Sequence, residues 1–194
     1  MKFKSKTKRE AILQAAFALV CDKGYYEMKM DDVARHASVA KGTVYLYFKD
    51  KLDLYVGLVN WLIGGARAIV ADVARQDLTP SGKLQQVFDR WIATLSERPA
   101  AMDLVFPETR RERCAISQRF HAQVLPEIKN LLEDIARLIK AGIRQGEFRP
   151  VVPKLAALAF LNAFRAALLI SIGHLGVKVS AQQSLEIFFD GIRR

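Results

Sequence analysis

The sequence predicts an all-α fold in two parts, a small three-helix unit over residues 1–52 and a larger helical bundle over residues 53–194. Apolar residues recur every three or four positions along almost the whole chain, and the period-two alternation of strands is nearly absent. Gly and Pro punctuate these runs. Charge is also uneven: residues 1–52 carry 11 Lys/Arg against 6 Asp/Glu, and residues 53–194 carry 19 against 14. About a quarter of the chain therefore holds half of the net +10, as a basic tip on a larger body would.

The first helix is read in "TKREAILQAAFALVCDKG", with Ile12, Ala15, Ala16, Leu19 and Val20 on one face. Thr7 and Glu10 have capping-box spacing at its start, and Gly24 marks its stop. A short second helix fits "MDDVARHA", with Val33, Ala34 and Ala37 inward, and a third fits "KGTVYLYF". All three are too short to be stable alone, so they must pack on one another. Helix, tight turn, helix is the outline of a helix-turn-helix.

From Lys51 a long apolar helix runs to about residue 76, with a bend expected at Gly64–Gly65. Thr79–Pro80–Ser81–Gly82 reads as a break. Helices then fit residues 83–98, 101–112 and 115–146, with interruptions at Pro99 and Pro107, a kink at Pro126 and a stop near Gly146. Pro150 and Pro153 precede an apolar helix over about 154–173, and a last helix runs from about 180 to the end. There is no internal repeat or low-complexity linker.

Composition narrows the function. Apolar residues make up 51% of 194, enough for a sizeable core and too many for disorder. The basic balance favours an anionic partner: nucleic acid, a membrane surface or an acidic small molecule. Cys21 and Cys114 are far apart and form no disulfide framework, which fits a reducing cytoplasm. The basic start "MKFKSKTKRE" is not followed by a cleavable signal. No apolar run reaches the roughly 18 residues of a membrane span. The closest, "LAALAFLNAFRAALLISIGHLG", is interrupted by Asn162 and Arg165. His36, His121 and His174 are scattered, and metal spacing, nucleophile elbow, phosphate loop and paired acids are all missing, so no enzyme, metal or cofactor is expected.

The third helix carries the most chemistry. At about 100° per residue, Val44 and Phe48 face inward together while Gly42 and Leu46 lie nearly opposite. Thr43 and Tyr45 flank the outer side, and Lys41 and Tyr47 border the inner one. Such a face suits a major groove. Gly42 lets the backbone approach closely. Lys41 can donate to guanine or a phosphate, Thr43 offers a hydroxyl and a methyl, and Leu46 can meet a thymine methyl. Tyr45, Tyr47, Lys49 and Lys51 suit phosphate contact, with Lys51 opening a helix whose N-terminal amides favour an anion.

Gly24–Tyr25 followed by "MDDVARHASVAKGTVYLYFKDKLDL" strongly resembles the DNA-binding domain of the TetR family of bacterial transcriptional regulators, over roughly residues 8–55. The resemblance implies a homodimer binding double-stranded DNA, a reading head on each subunit and a C-terminal ligand-binding and dimerisation domain. Carried over by position, Lys41, Gly42 and Thr43 would meet bases, and Tyr45, Tyr47 and Lys51 phosphates. Three positions depart from the family pattern. Met28 and Lys29 replace a capping Thr or Ser before the second helix, with Lys29 supplying charge to a phosphate instead. Ser38 replaces the turn Gly, and Ala40 replaces a capping Ser.

The resemblance further implies a cavity in the body for an unidentified small-molecule effector. Trp61, Trp91, Met102, Phe106, Phe120 and His121 are its candidate walls, each also readable as plain core. Arg110, Arg111 and Arg113 fit a solvated face better than an anion site. The helices near 154–173 and 180–192 are more apolar than one face requires, which makes them the expected dimer interface. The functional expectation is a repressor released from a palindromic operator by a small molecule. The alternative is a nonspecific or architectural DNA binder without an effector. A membrane-surface role is disfavoured by the compact head.

Overall fold

The computed structural model describes residues 7–95, 122–171 and 180–194. Among them eight helices follow in order: α1 (Lys8–Glu27), α2 (Met30–His36), α3 (Lys41–Tyr47), α4 (Lys51–Ala74), α5 (Pro80–Leu95), α6 (Leu125–Gln145), α7 (Pro153–Ser171) and α8 (Ala181–Ile192). The described residues contain no strand, only an isolated antiparallel bridge between Phe148 and Arg193. Two compact units result. The first is built on residues 7–63 with 122–127, the second on residues 64–95, 128–171 and 180–194. The boundary falls inside α4, between Ile63 and Gly64, and α4 is assigned as helix through the Gly64–Gly65 pair.

In the first unit α1 packs on α2 and α2 on α3. Thr7 caps α1 by accepting from the Glu10 amide at 3.1 Å. Ile12, Leu13, Ala16, Phe17, Leu19 and Val20 are buried along α1. Gly24 interrupts the helical geometry at φ 80°, ψ 167°, in the left-handed half of backbone space that a side chain disfavours. The chain then takes one further turn to Glu27. Helices of seven residues hold no stability of their own, so α2 and α3 depend on the side chains they bury. These are Met30, Val33 and Ala34 from α2, and Val44 with the adjoining Phe48 from α3. Leu54, Tyr55, Leu58 and Val59 of α4 complete this core.

In the second unit α5 starts earlier in sequence than expected. Thr79–Pro80–Ser81–Gly82 reads as a break, yet Pro80 is the first residue of α5. The Gly82 amide donates to Thr79 Oγ1 at 3.2 Å, so Thr79 caps a helix whose first position suits a fixed φ and no amide hydrogen. The expected kink at Pro126 is a break at Val124, with Pro126 tolerated in the first turn of α6. Gly146, at φ 79°, ends that helix. Ser180 and Gln183 form a capping box at the start of α8.

Aromatic rings hold α5, α7 and α8 together. Phe88 meets Phe160 and Phe164 edge-on at 6.1 and 6.0 Å, Trp91 meets Phe164 at 5.2 Å, and Phe160 meets Phe188 at 5.4 Å. The Trp91 indole N–H donates to the Ala66 carbonyl at 3.2 Å, and Arg67 of α4 pairs with Asp134 of α6 at 2.7 Å. By length and composition α4 and α7 could each cross a membrane, contrary to the expectation that no apolar run reaches that length. Core packing accounts for it in α4, which buries Leu54, Tyr55, Val56, Leu58, Val59, Ile63, Val70 and Val73.

Phe148, 1% exposed, fixes the chain terminus of this unit. Its ring lies where a Cβ on Gly142 would sit only 2.2 Å from Cδ2, and it stacks on Phe189 at 6.4 Å. Beside it the Arg149 amide donates to the Ile192 carbonyl at 2.9 Å, and Arg149 Nε to the Gly191 carbonyl at 2.8 Å. A methyl group at Gly142 has no room without moving that ring. Gly142→Ala is therefore expected to destabilise the fold by about 1–3 kcal/mol in urea unfolding.

Candidate nucleic-acid interface

The turn between α2 and α3 sets the geometry of the site. The Val39 amide donates to the Ala34 carbonyl at 3.0 Å and the Ser38 amide to the Arg35 carbonyl at 3.1 Å. With Ser38 at φ 54°, this is a Schellman closure of α2, with a non-glycine residue in the left-handed position. Ala40 stands at the N-cap of α3 without a side-chain hydrogen bond, and so does Lys29 at the N-cap of α2. Met28, beside Lys29, is wholly buried, so apolar packing occupies the place where the family pattern has a hydroxyl.

Val44 and Phe48 are 0% and 2% exposed, as the wheel requires. The Phe48 ring packs against the bare Cα of Gly57 in α4, where a Cβ would lie 2.6 Å from Cε1. The Arg9 guanidinium covers the same ring at 5.3 Å. So seated, α3 turns Leu46 out to 84% exposure, with Lys41, Gly42, Tyr45 and Tyr47 also exposed and Thr43 half-buried. A Cβ at Gly42 would meet nothing within 4 Å. Of the residues expected to meet bases, Lys41, Gly42 and Leu46 are thus exposed and Thr43 is partly covered. Lys29 and Lys49 are exposed on the same unit.

Two expectations change in detail. Lys51 is half-buried: its Nζ donates to the Tyr26 carbonyl at 2.8 Å and lies 4.6 Å from the Tyr25 ring centre. Burial holds its pKa below the usual lysine range. It ties the segment after Gly24 to the start of α4. That start is also already capped by carboxylates, contrary to the expected anion site. Asp50 Oδ1 accepts from the Asp53 amide at 2.7 Å, and Asp53 Oδ2 from the Lys49 amide at 2.9 Å.

Two acids of α2 engage the cations of this surface. Lys41 pairs with Asp31 at 2.8 Å, which raises the lysine pKa. Arg35 pairs with Asp32 and holds that carboxyl below its ordinary range. The two acids stand in the first turn of α2, where a helix N-terminus favours them, and that placement was the available signal. Gly57, an isolated glycine within an apolar helical run, was another. Of the candidate cavity walls, Trp61 packs on Phe17 at 6.1 Å in the first unit, and Trp91 belongs to the aromatic core of the second. Met102, Phe106, Phe120 and His121 lie outside the described residues, as do Cys114 and the three arginines near it.

A short helix with a donor-rich outer face, set by a closed turn and a buried ring, defines a helix-turn-helix DNA-binding protein. Residues 12–58 match the family model described as bacterial regulatory proteins, tetR family. The HTH-type transcriptional regulator YfiR of Bacillus subtilis is 30% identical over 168 residues, covering 81% of this chain and 77% of that one. The Fatty acid metabolism regulator protein of the same organism is 26% identical over 138 residues, covering 71% and 69%. The solved structure of the transcriptional regulator FadR from Bacillus subtilis in complex with stearoyl-CoA has a TM-score of 0.76 at 22% identity, covering 95% of this chain and 99% of that one. The chain belongs to the TetR family and is a DNA-binding transcriptional regulator; its relatives are regulators rather than enzymes.

The two imperfect caps generate a prediction. Ser38→Gly relieves the left-handed strain and Ala40→Ser restores a cap. Each is expected to raise stability by up to about 1 kcal/mol, measured by denaturant unfolding, with the helix content unchanged.

Proposed function

We propose that this regulator is a homodimeric repressor that a small-molecule effector releases from a palindromic operator. In this reading residues 1–52 are the DNA-binding domain and residues 53–194 the ligand-binding and dimerisation domain, working in the cytoplasm. The outward face of α3 carries the reading, because Leu46 and Gly42 stand opposite the buried Val44 and Phe48, with Lys41 exposed at the border of that face. Lys41, Gly42, Thr43 and Leu46 face bases. Lys29, Tyr45, Tyr47 and Lys49 meet phosphates, and Lys51 adds its charge from where the Tyr26 carbonyl holds it.

Pairing of subunits is supported by the second side of α7. Phe160, Phe164, Ala167 and Leu168 are buried, whereas Leu155 and Leu158 are 65% and 47% exposed. Val152 and Ile187 add 64% and 73% exposure. Such a run of apolar surface marks an interaction site. Two subunits joined there would present two heads, with half-sites one helical turn, about 10–10.5 bp, or a multiple of it apart. Effector binding releases DNA only if it prefers the non-binding arrangement. The named relatives supply the class to test first, a fatty acyl-coenzyme A, which combines an apolar tail with an anionic head.

Selection from a random DNA pool tests the reading. A two-fold motif is expected, and bound operator should be displaced by one member of an acyl-coenzyme A series. No enrichment would favour the nonspecific, architectural alternative. Thr43→Ala should change the selected bases. Lys49→Ala should weaken binding to all sequences alike and reduce the salt slope by about 1. Leu155→Glu with Leu158→Glu should convert a sedimenting dimer to a monomer that keeps its helicity.

A further inference from the structure

Lys41 is the cation best placed to reach a base, yet it already has a partner. Its Nζ stands 2.8 Å from Asp31 Oδ1 and 3.0 Å from Oδ2, so both carboxylate oxygens share one ammonium. Asp31 lies in the first turn of α2 and Lys41 opens α3; the Schellman closure at Ser38 brings them together. Both side chains remain about 60% exposed, at the lip of an open groove of about 530 Å³ lined by Asp31, Ala34, Arg35, Val39 and Lys41.

An exposed ion pair of this kind adds little to folding. The helix N-terminus favours an acid in this turn, but that does not explain why one is paired to the lysine of the reading helix on a face that must approach a polyanion. Asp32 differs, because it is mostly covered and engaged by Arg35. Asp31 instead sits beside Lys41 with its side chain 59% exposed. Ammonium and carboxylate side by side match the major-groove edges of a G·C pair, where guanine N7 and O6 accept and cytosine N4 donates. Where DNA offers no such pair, the same carboxylate opposes docking, and specificity grows from that repulsion as much as from the attraction.

We infer that Asp31 is a specificity-determining residue: with Lys41 it forms a two-residue unit that reads a G·C pair, Lys41 donating to guanine and Asp31 accepting from cytosine N4, and it rejects DNA lacking that pair. The inference rests on α3 being the base-reading helix. On nonspecific duplex the unit has nothing to read, and Asp31 restrains Lys41 from joining a phosphate. Removing the acid should then make the head bind DNA more readily and less selectively.

Random-pool selection and competition titrations on the full-length wild type, Asp31→Asn, Lys41→Met and the double variant test this. The wild-type motif should contain one G·C pair per half-site that both single variants lose and the double variant loses no further. For Asp31→Asn the ratio of operator to random-duplex affinity should fall about tenfold. Its random-duplex salt slope should steepen by about 0.9, the value of one added phosphate contact. Thermal unfolding of each variant separates these effects from misfolding, since an exposed pair should leave the melting temperature nearly unchanged. An enriched wild-type motif that Asp31→Asn reproduces with the same ratio overturns the inference and leaves the regulator reading intact. A wild type that enriches no motif overturns both.

Discussion

The seat of Phe48 is the constraint on which the head depends. A helix of seven residues that buries only Val44 cannot fix its own orientation. The ring four positions later does so, because Gly57 removes the one Cβ that would keep it out and the Arg9 guanidinium lies over it. With those two anchors in place, the outer residues of α3 have no freedom to rotate inward. The exposure of Leu46 follows from the burial of Val44 on the same turn of α3, which the buried Phe48 ring at the helix end holds in place.

Charge on the head is arranged rather than merely accumulated. A uniformly basic tip would bind any duplex tightly and read none of it. Here the cations near the turn are placed by specific partners: Arg35 by Asp32, Lys41 by Asp31, and Lys51 by the Tyr26 carbonyl and the Tyr25 ring. The carboxylates Asp50 and Asp53 close the start of α4 in the same manner. Each pairing is weak alone in water, but each fixes where a charge stands. Register on DNA depends on that more than on net charge.

In the second unit α7 has two apolar sides with different fates. One carries Phe160 and Phe164 into the rings of α5 and α8, and the other leaves Leu155 and Leu158 in solvent. The inward side explains why the unit coheres; the outward side is apolar surface of the kind that marks an interaction site. The Gly142–Phe148 contact repeats the device used in the head, a glycine that admits a ring, and it anchors the end of α8 through Arg149.

The sequence by itself determined the helical class, the register of α1 to α4, the inward pair Val44 and Phe48, and the outward face around Leu46. All of these follow from spacing within one turn of helix or from single-residue backbone preference, which are local properties. What only the tertiary structure decided involves residues distant in the chain. Gly57 admits the Phe48 ring, Arg9 covers it, Lys51 reaches back to Tyr26, and Asp31 meets Lys41 across the turn. Thr79–Pro80 opened a helix instead of ending one because a cap and a stop use the same residue types. Periodicity tells which side of a helix is apolar, but not which partner that side will find, because partners are chosen by packing in three dimensions.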